Sequence, residues 1–363
     1  MFIKKLEYEN YRNLEKGIFI PHKEINVIYG NNAQGKTNLI EAIWLFCGKK
    51  SFRSAKDSQL VKIHEETENL KAELKLEFYS QGRYQDAEII IENKRNTRLN
   101  GIEQKNSAAI SECFPAILFS PADMDLIKEG PSQRRKFIDN AISSLRPKYE
   151  KMLSAYNKAV LQRNNILYDA LFHSELTGVL EAFEDRIATA GAYIISQRKK
   201  YIEALMSYAP DIYRGLSGDT EDIGIEYKCG CGEGSYEELL DALRLNRAED
   251  TKTSTTGVGP HRDDIDFSIN GLSAKIYGSQ GQKRSCVLAL KLSEAELLKK
   301  YTGEQPIAIL DDVMSELDRV RQDYILNHIR GWQVFITCCE SDTVKYMEHG
   351  GKFRMHAGVL SED

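Results

Sequence analysis

The chain has 363 residues, of which 42% are hydrophobic and 28% charged, a balance typical of a soluble globular protein with about two domains. No apolar stretch approaches the roughly 20 residues that a membrane-spanning helix needs. The formal net charge of −5 excludes a surface covered by positive charge, so any nucleic-acid contact must use a local patch.

The N-terminal segment alternates apolar and polar residues from Met1 to Tyr8, which predicts a strand rather than a signal peptide. We therefore expect a cytoplasmic protein. The seven cysteines are odd in number and scattered, so they do not indicate a disulfide framework. Cys229 and Cys231 form a C-x-C step without a second pair or a histidine cluster, which favours a glycine-rich turn over a zinc site.

A phosphate-binding loop lies between a buried strand, predicted over 25–29, and an apolar-faced helix, predicted over 38–46. The residues from Gly30 to Thr37 fit the pattern G-x-x-x-x-G-K-[ST] without mismatch. In this pattern the backbone N–H groups wrap the phosphates, Lys36 reaches the outer phosphates and Thr37 offers its hydroxyl to Mg²⁺. The sequence therefore predicts a nucleoside triphosphate site, with nucleotide contacts at Gly30, Asn31, Asn32, Ala33, Gln34, Gly35, Lys36, Thr37 and Asn38.

A helical insertion follows, since apolar residues recur at steps of three and four, as Tyr156, Val160, Leu167 and Leu171, and again from 180 to 205. Two long helices joined near 173–178 are predicted, either as an antiparallel hairpin or as two core helices of a helical lobe. At about 1.5 Å per residue they are too short for a chromosomal coiled-coil arm. Glycine-rich and acidic loops are expected over 215–234, before a helix at 236–244 and the end of the insertion near 248.

The second half of the site is an apolar strand ending in two acids, Asp311 and Asp312, which is a Walker B pattern. Before it, a small, glycine-rich loop around Ser279, the signature loop, opens a helix predicted over 285–300, and such a helix start attracts anions. One triphosphate needs only one of the two loops from a given subunit. The loop at Ser279 is therefore expected to reach the γ-phosphate held by a partner in a head-to-tail dimer; a simple N-cap is the alternative.

Together these residues resemble the RecF family of bacterial recombination and repair ATPases, which are related to structural-maintenance and Rad50 heads. The resemblance covers most of the chain. It implies an α/β fold: an ABC-type P-loop ATPase head, lobe I, at 1–130 and 249–363, with an inserted, mostly helical lobe II at 131–248 that contains a short helical hairpin. It is carried by Asn10-Tyr11-Arg12-Asn13, the phosphate loop, Phe119-Ser120-Pro121, Gly130-Pro131, Arg134-Arg135-x-Phe137-Ile138-Asp139, Gly259-Pro260-His261-Arg262-Asp263-Asp264, Tyr277-Gly278-Ser279-Gln280-Gly281-Gln282 and Asp311-Asp312-x-x-Ser315-Glu316-Leu317-Asp318.

The resemblance implies ATP and Mg²⁺ as cofactors, with Thr37 and Asp311 at the metal. Asp312 would orient or deprotonate the attacking water, and since most relatives have the longer glutamate there, slow hydrolysis by a weak, DNA-stimulated ATPase switch is expected. Ser279 would touch the γ-phosphate across the dimer. Thr337 stands where many cassette ATPases have a histidine, as a weaker γ-phosphate sensor, and no clear Q-loop glutamine is found. The dimer interface is expected at Ser279, Gln280, Gly281, Gln282, Ser315 and Asp318.

The resemblance also implies a biological role. It predicts an ATP-dependent homodimer that binds duplex DNA near single-strand gaps and, with RecO and RecR, promotes recombinase loading in recombinational repair and replication restart. Candidate DNA contacts lie in two basic clusters, although clusters of this size are also typical of a solvated helix face; they are Arg134, Arg135, Lys136, Arg198 and Lys199.

Two further sets of polar residues could have either a functional or a structural role. Arg12 and Asn13 are candidate nucleotide contacts. Together with Arg53 they are candidates for contacts with the base or a phosphate, and solvated surface groups are the alternative interpretation. His261 and Arg262 are interpreted as part of a structural loop rather than a catalytic or metal site.

Three alternative functions are weaker. A Rad50-like or chromosome-maintenance head needs a long coiled coil, which the length of the insertion denies. A small-molecule P-loop kinase lacks the signature loop. A transporter ATPase subunit does not share the motifs outside the phosphate loop, signature and Walker B.

Overall fold

The computed structural model describes residues 1–53, 55–62, 71–104, 108–173, 178–339 and 350–363. They form two compact units, unit 1 (Met1–Asp123 and Glu294–Asp363) and unit 2 (Met124–Ser293). The strands are β1 (Phe2–Tyr11), β2 (Leu14–Phe19), β3 (Ile25–Tyr29), β4 (Ala72–Ser80), β5 (Arg83–Ile91), β6 (Arg95–Leu99), β7 (Ile102–Gln104), β8 (Ala116–Phe119), β9 (Ile223–Lys228), β10 (Asp264–Ile269), β11 (Leu272–Ser273), β12 (Ile307–Asp311), β13 (Val334–Cys338), β14 (Gly351–His356) and β15 (Val359–Glu362). The helices are α1 (Lys36–Leu45), α2 (Ala108–Cys113), α3 (Pro121–Met124), α4 (Pro131–Leu145), α5 (Pro147–Asp169), α6 (Leu180–Met206), α7 (Ala209–Ser217), α8 (Tyr236–Leu245), α9 (Arg247–Thr253), α10 (Ala274–Tyr277), α11 (Gln280–Thr302) and α12 (Arg319–His328).

Unit 1 contains an antiparallel sheet in the order β2-β1-β4-β5-β6-β7. Its central strands alternate buried and accessible residues, because one face packs on the core and the other meets water. Leu6 of β1 lies opposite Leu76 of β4, and both side chains are buried. The same apolar cluster includes Leu39 and Ile43 of α1. The helix that follows the phosphate loop is thus anchored by the core of this sheet.

The second sheet of unit 1 has the order β15-β14-β3-β13-β12-β8, with every neighbouring pair parallel except β14 and β15. Every residue of β12 and β13 is buried, as expected for parallel strands covered on both faces. Asp311 pairs with Thr337, and Thr337 with Ile28. The ends of β3, β12 and β13 therefore meet at one edge of the sheet, beside the phosphate loop.

Unit 2 contains the two long helices predicted from the apolar periodicity. α5 and α6 have 23 and 27 residues and pack along each other. The periodic residues Tyr156 and Leu167 of α5 and Ile194 of α6 are buried, whereas Leu171 lies beyond the end of α5 and is exposed. The interpretation of Leu171 as a core position was therefore wrong: the helix ends before its side chain reaches the seam. Residues 174–177 of the expected connection lie outside the described residues.

Unit 2 extends beyond the expected insertion at both ends. β9 pairs with β10 and β10 with β11 in an antiparallel sheet, so residues after 248 share a sheet with residues before it. Unit 2 consequently runs to Ser293 and includes the signature loop. Helical periodicity carries no information on such distant strand pairing, which is why it placed the boundary at 248. Among the described residues, no helix has the length and apolar character to cross a membrane.

Candidate functional site

The phosphate loop leaves the end of β3 and enters α1 through two glycines in backbone conformations that side chains rarely adopt. Gly30 has φ +148°, and a Cβ there would lie 2.4 Å from the carbonyl oxygen of Met355. Gly35 has φ +114° and is the N-cap of α1, where a Cβ would lie 2.8 Å from Oδ1 of Asn13. The loop is therefore held tightly enough that only glycine fits at these two positions.

The start of α1 presents unoccupied backbone donors to the loop. Within the described part of the chain, no side chain caps it and no acidic residue lies in its first turn. The first N–H groups of a helix have no intrahelical partner. The buried Lys36 donates from Nζ to the carbonyl oxygens of Gly30 (2.7 Å) and Asn31 (3.0 Å). Its ammonium group thus lies over the loop, where positive charge and N–H groups together favour a phosphate.

A chain of hydrogen bonds joins the loop to the Walker B acids. Oδ1 of Asp311 accepts from the hydroxyl of Thr37 at 3.1 Å and from that of Thr337 at 2.8 Å. The backbone N–H of Asp312 donates to Oγ1 of Thr337 at 3.0 Å. Thr337 therefore holds both acids in place, a positioning role that the sequence did not reveal because it depends on the pairing of β12 with β13.

Both acids lie where their charged forms are disfavoured. Burial raises the pKa of Asp311, and the hydrogen bonds from Thr337 and Thr37 offset part of that effect. Burial also raises the pKa of Asp312, while the positive charge of Lys36 lowers it in part. Asp312 has φ +53°, a left-handed conformation that is uncommon for a residue with a side chain. Two carboxylates made less acidic by burial are suited to bind a cation and to accept a proton.

A β-hairpin turn near the C-terminus, which was not predicted from the sequence, supports the loop. The N–H of Ala357 donates to Oε1 of Gln34 at 2.6 Å, and the N–H of Gly358 donates to the Gln34 carbonyl at 2.9 Å. Cys339 donates from Sγ to Oδ1 of Asn32 at 2.9 Å. Gln34 and Asn32 therefore contact protein groups that fix the loop. An Ala-Gly step between two short alternating runs was the available signal for this turn.

Arg12 and Asn13 brace the loop from the end of β1. Arg12 donates from Nε and Nη2 to the two carboxylate oxygens of the buried Glu41, at 2.9 and 3.0 Å. Asn13 accepts from Nδ2 of Asn38 at 2.7 Å, and the exposed Arg53 donates to Oδ1 of Asn38 at 2.9 Å. Arg12 is thus committed to a protein carboxylate. Direct nucleotide contacts by Arg12, Asn13 and Arg53 remain predictions.

Three of the predicted interface residues, Ser279, Gln282 and Asp318, take part in helix caps. Oγ of Ser279 accepts from the N–H of Gln282 at 3.2 Å, and Oε1 of Gln282 accepts from the N–H of Ser279 at 2.7 Å, which is a capping box. Gln282 also donates to Glu221 at 2.6 Å. In unit 1, Ser315 donates to the Asp312 carbonyl at 2.9 Å and Asp318 caps α12. Gln280 and Gly281 form the first turn of α11.

The candidate DNA contacts divide into buried and accessible cations. Arg134 is 5% exposed and donates to both oxygens of Asp264 at 2.8 Å. Arg198 is 2% exposed and donates to both oxygens of Asp139 at 2.9 Å. These two arginines are buried against protein carboxylates, which does not favour the predicted DNA contacts. The accessible ones are Arg135, Lys136 and Lys199, of which Lys199 pairs with Glu233.

His261 lies in a hydrogen-bonded loop, as its structural interpretation expects. Its Nε2 lies 2.9 Å from the carbonyl oxygen of Thr256 and therefore carries the proton, so Nδ1 accepts from the hydroxyl of Tyr156 at 2.6 Å. Burial lowers the pKa of His261, which keeps the ring neutral. Both ring nitrogens are occupied by protein groups. No group of three or more potential metal ligands occurs among the residues that the structure describes.

The residues at the loop fit ATP with a magnesium ion. A hydroxyl and a carboxylate, from Thr37 and Asp311, offer the oxygen ligands that Mg²⁺ prefers. A triphosphate would meet Lys36 and the start of α1, and its metal would lie between Thr37 and Asp311.

Known proteins are similar to this chain in sequence and in fold. The model of the RecF/RecN/SMC N-terminal domain matches residues 2–361. The chain is 37% identical to the DNA replication and repair protein RecF of Ruminiclostridium cellulolyticum, over 94% of each chain, and 36% identical to that of Thermoanaerobacter pseudethanolicus, over all of each. It is similar to a solved structure described as the recombination mediator protein RecF-ATPrS in the RecFOR pathway, with a TM-score of 0.90, 37% identity, and 99% and 98% of the two chains covered. An Smc head from Pyrococcus furiosus, with a TM-score of 0.57 and 16% identity, shares the fold.

Proposed function

Because the chain belongs to the RecF family, we propose that it is an ATP-dependent DNA-binding repair protein of the RecF type. Its fold is that of an ABC-type ATPase head, as expected from the sequence. α5 and α6 reach only about 35 to 40 Å at the usual rise per residue, which does not support a chromosome-maintenance head with a long coiled coil. The observation that carries the proposal is the hydrogen-bonded chain from Thr37 through Asp311 and Thr337 to Asp312.

We propose that this chain of contacts couples nucleotide binding to the acids. Lys36 and the first turn of α1 bind the phosphates, and Thr37 and Asp311 hold Mg²⁺, which neutralises phosphate charge when bound. Thr337 keeps Asp311 and Asp312 in register. Asp312 orients the attacking water, and its raised pKa brings it closer to the task of accepting a proton near neutral pH.

Dimerisation is the proposed output of binding. Ser279 of each protomer meets the γ-phosphate on its partner, and Ser315 and Asp318 line the same interface. The dimer then binds duplex DNA near single-strand gaps and acts with RecO and RecR to promote recombinase loading. A weak ATPase activity that ends the bound state makes the protein a switch in the cytoplasm.

Light scattering tests this function. The Asp312→Asn protein is expected to double its mass on addition of ATP and Mg²⁺, and Ser279→Arg in the same background is expected to remain monomeric. Ser279→Arg also removes a helix cap, which costs roughly 1 kcal/mol. The matched control is Ser235→Arg, because Ser235 caps α8 through the same capping box, with Glu238. A monomer at saturating ATP, or equal loss of dimer in both arginine variants, contradicts the proposal.

A further inference from the structure

Unit 2 has a cavity of about 280 Å³ that the nucleotide site does not use. Its lining includes Arg135, Lys136 and Asp139 of α4, Arg198 of α6, and His261 of the structural loop. Cavities for drug-sized ligands start near 300 Å³, so this one matches a small ligand. The lining holds three cationic side chains and one carboxylate, which gives the cavity a surplus of positive charge.

The single carboxylate of the lining is already neutralised. Asp139 accepts from Nε and Nη2 of Arg198 at 2.9 Å each and from the hydroxyl of Tyr149 at 2.5 Å. The remaining nitrogen of Arg198, Nη1, donates to the Pro260 carbonyl at 2.6 Å and to the hydroxyl of Tyr227 at 3.1 Å. Asp139 and Arg198 therefore form a closed pair that shapes the wall. The surplus charge belongs to Arg135 and Lys136.

Arg135 and Lys136 have no carboxylate within ion-pair distance among the described residues. Arg135 donates from Nη1 to the backbone carbonyl of Asp263 at 2.7 Å. Burial lowers the pKa of Arg135 and the charge of Arg198 lowers it further, while the charges of Asp264, Asp139 and Asp263 offset only part of this effect. The acids behind it are engaged elsewhere: Asp264 by Arg134, and the carboxylate of Asp263 by Tyr227 and the N–H of Gly230.

The geometry points to a second anion site: we infer that Arg135 and Lys136 bind a phosphate group in this cavity. An arginine whose Nη1 is fixed by a carbonyl presents its other N–H groups in a planar fork that suits phosphate oxygens. Lys136 adds a mobile cation, and Ser132 and Asn157 add polar groups at the wall. The phosphate belongs either to a free anion or to the backbone of bound DNA, and in the second case the inference rests on the proposed function.

Inorganic phosphate is the probe, and the full chain carrying Lys36→Ala is the background, because this change weakens binding at the phosphate loop. Phosphorus NMR line broadening measures phosphate affinity in that chain and in the same chain with Lys136→Gln. Lys136 is exposed and makes no ion pair in the described part of the chain, so its removal leaves the fold intact. We expect affinity to fall about fivefold, as for the loss of one solvent-exposed ion pair. Lys151→Gln, at an exposed lysine of α5 outside the cavity, is the matched control.

Duplex DNA provides the second arm, with the salt dependence of binding measured for the chain with intact Lys36. A loss of both phosphate and DNA affinity in Lys136→Gln supports the site with DNA as the source, and the salt slope should fall by about one. A loss of phosphate affinity alone supports a free-anion site. Unchanged phosphate affinity, with or without weaker DNA binding, overturns the inference. The ATP-driven doubling of mass is measured separately, so that failure of the proposed ATP-dependent dimer and failure of this anion site are distinguishable.

Discussion

Replacing Arg12 by alanine tests whether this residue supports the nucleotide site or contacts nucleotide. Arg12 supplies the only charged partner that the structure shows for the carboxylate of Glu41 on α1, among the described residues. The other donors are the hydroxyls of Tyr11 at 3.0 Å and Ser51 at 2.5 Å. Glu41 is fully buried, and the side chain of Arg12 is 17% exposed. The variant therefore leaves a buried carboxylate with two neutral donors and no cation.

The expected loss of stability follows from this geometry. Removing one partner of a buried ion pair costs about 3–5 kcal/mol, and because water reaches part of the Arg12 site we expect the low end, about 3 kcal/mol. Trp44 and Trp332 are buried and both lie in unit 1, and they are the only tryptophans of the chain. Tryptophan fluorescence during urea unfolding therefore reports the free energy of unfolding of unit 1.

Two control variants test whether the loss of stability comes from the buried charge of Glu41. Lys16→Ala breaks the pair with Glu9, whose side chains are 77% and 42% exposed, and should cost less than about 0.5 kcal/mol. Adding Glu41→Gln to Arg12→Ala should recover part of the loss, because a neutral amide needs no counter-charge. The reasoning is refuted if Arg12→Ala unfolds within about 1 kcal/mol of the parent. A tenfold loss of ATP affinity in such a stable variant would establish Arg12 as a nucleotide contact.

Three other predictions concern the site and the C-x-C step. Gly30→Ala should weaken binding of a fluorescent ATP analogue at least about tenfold, since the new Cβ meets the Met355 carbonyl at 2.4 Å and backbone cannot yield; unchanged affinity contradicts this. Because burial raises the pKa of Asp311, Mg²⁺-dependent ATP binding should decline on acidification at a pH above about 4, the ordinary aspartate value, and a decline only below it contradicts the assignment. Because its pKa is raised in the folded protein, Asp311 binds a proton more readily there than in the unfolded chain. Its contribution to the stability of unit 1 therefore grows as pH falls. Iodoacetamide at neutral pH should modify Cys229 before Cys231, because the hydrogen bond between them lowers the pKa of Cys229 and raises that of Cys231; equal labelling by mass spectrometry contradicts this.

The parts of the site that the sequence predicted are those encoded locally. The phosphate loop, with Lys36 and Thr37, is a continuous motif whose backbone conformation is set by its own glycines. Asp311 was predicted from the apolar strand before it, and parallel sheets bring the ends of such strands together. The contact of Thr37 with Asp311 at 3.1 Å follows from these two local signals.

The unpredicted parts depend on distant pairings. Thr337 was expected to sense phosphate, but its hydroxyl also bonds Asp311 and Asp312 because β12 and β13 are neighbours. The turn at Ala357 and Gly358 reaches Gln34 only because β14 pairs with β3. Strand order is set by packing of the whole sheet, and the periodicity of any one segment carries no record of it.

In the two basic clusters, helical spacing distinguishes buried from exposed cations, which a count of charges does not. On α4 the buried residues are Arg134, Ile138, Ala141 and Ile142, which recur at helical spacing, so Arg134 shares the apolar face. On α6, Arg198 lies one turn from the buried Ile194 in the same way. An arginine at an apolar helical position is expected to pair with a carboxylate, because a buried charge is stable only when it is paired. Lys136 lies off the buried face of α4 and is exposed. Unlike Arg134, which is paired with Asp264, Lys136 is therefore available to bind an anion.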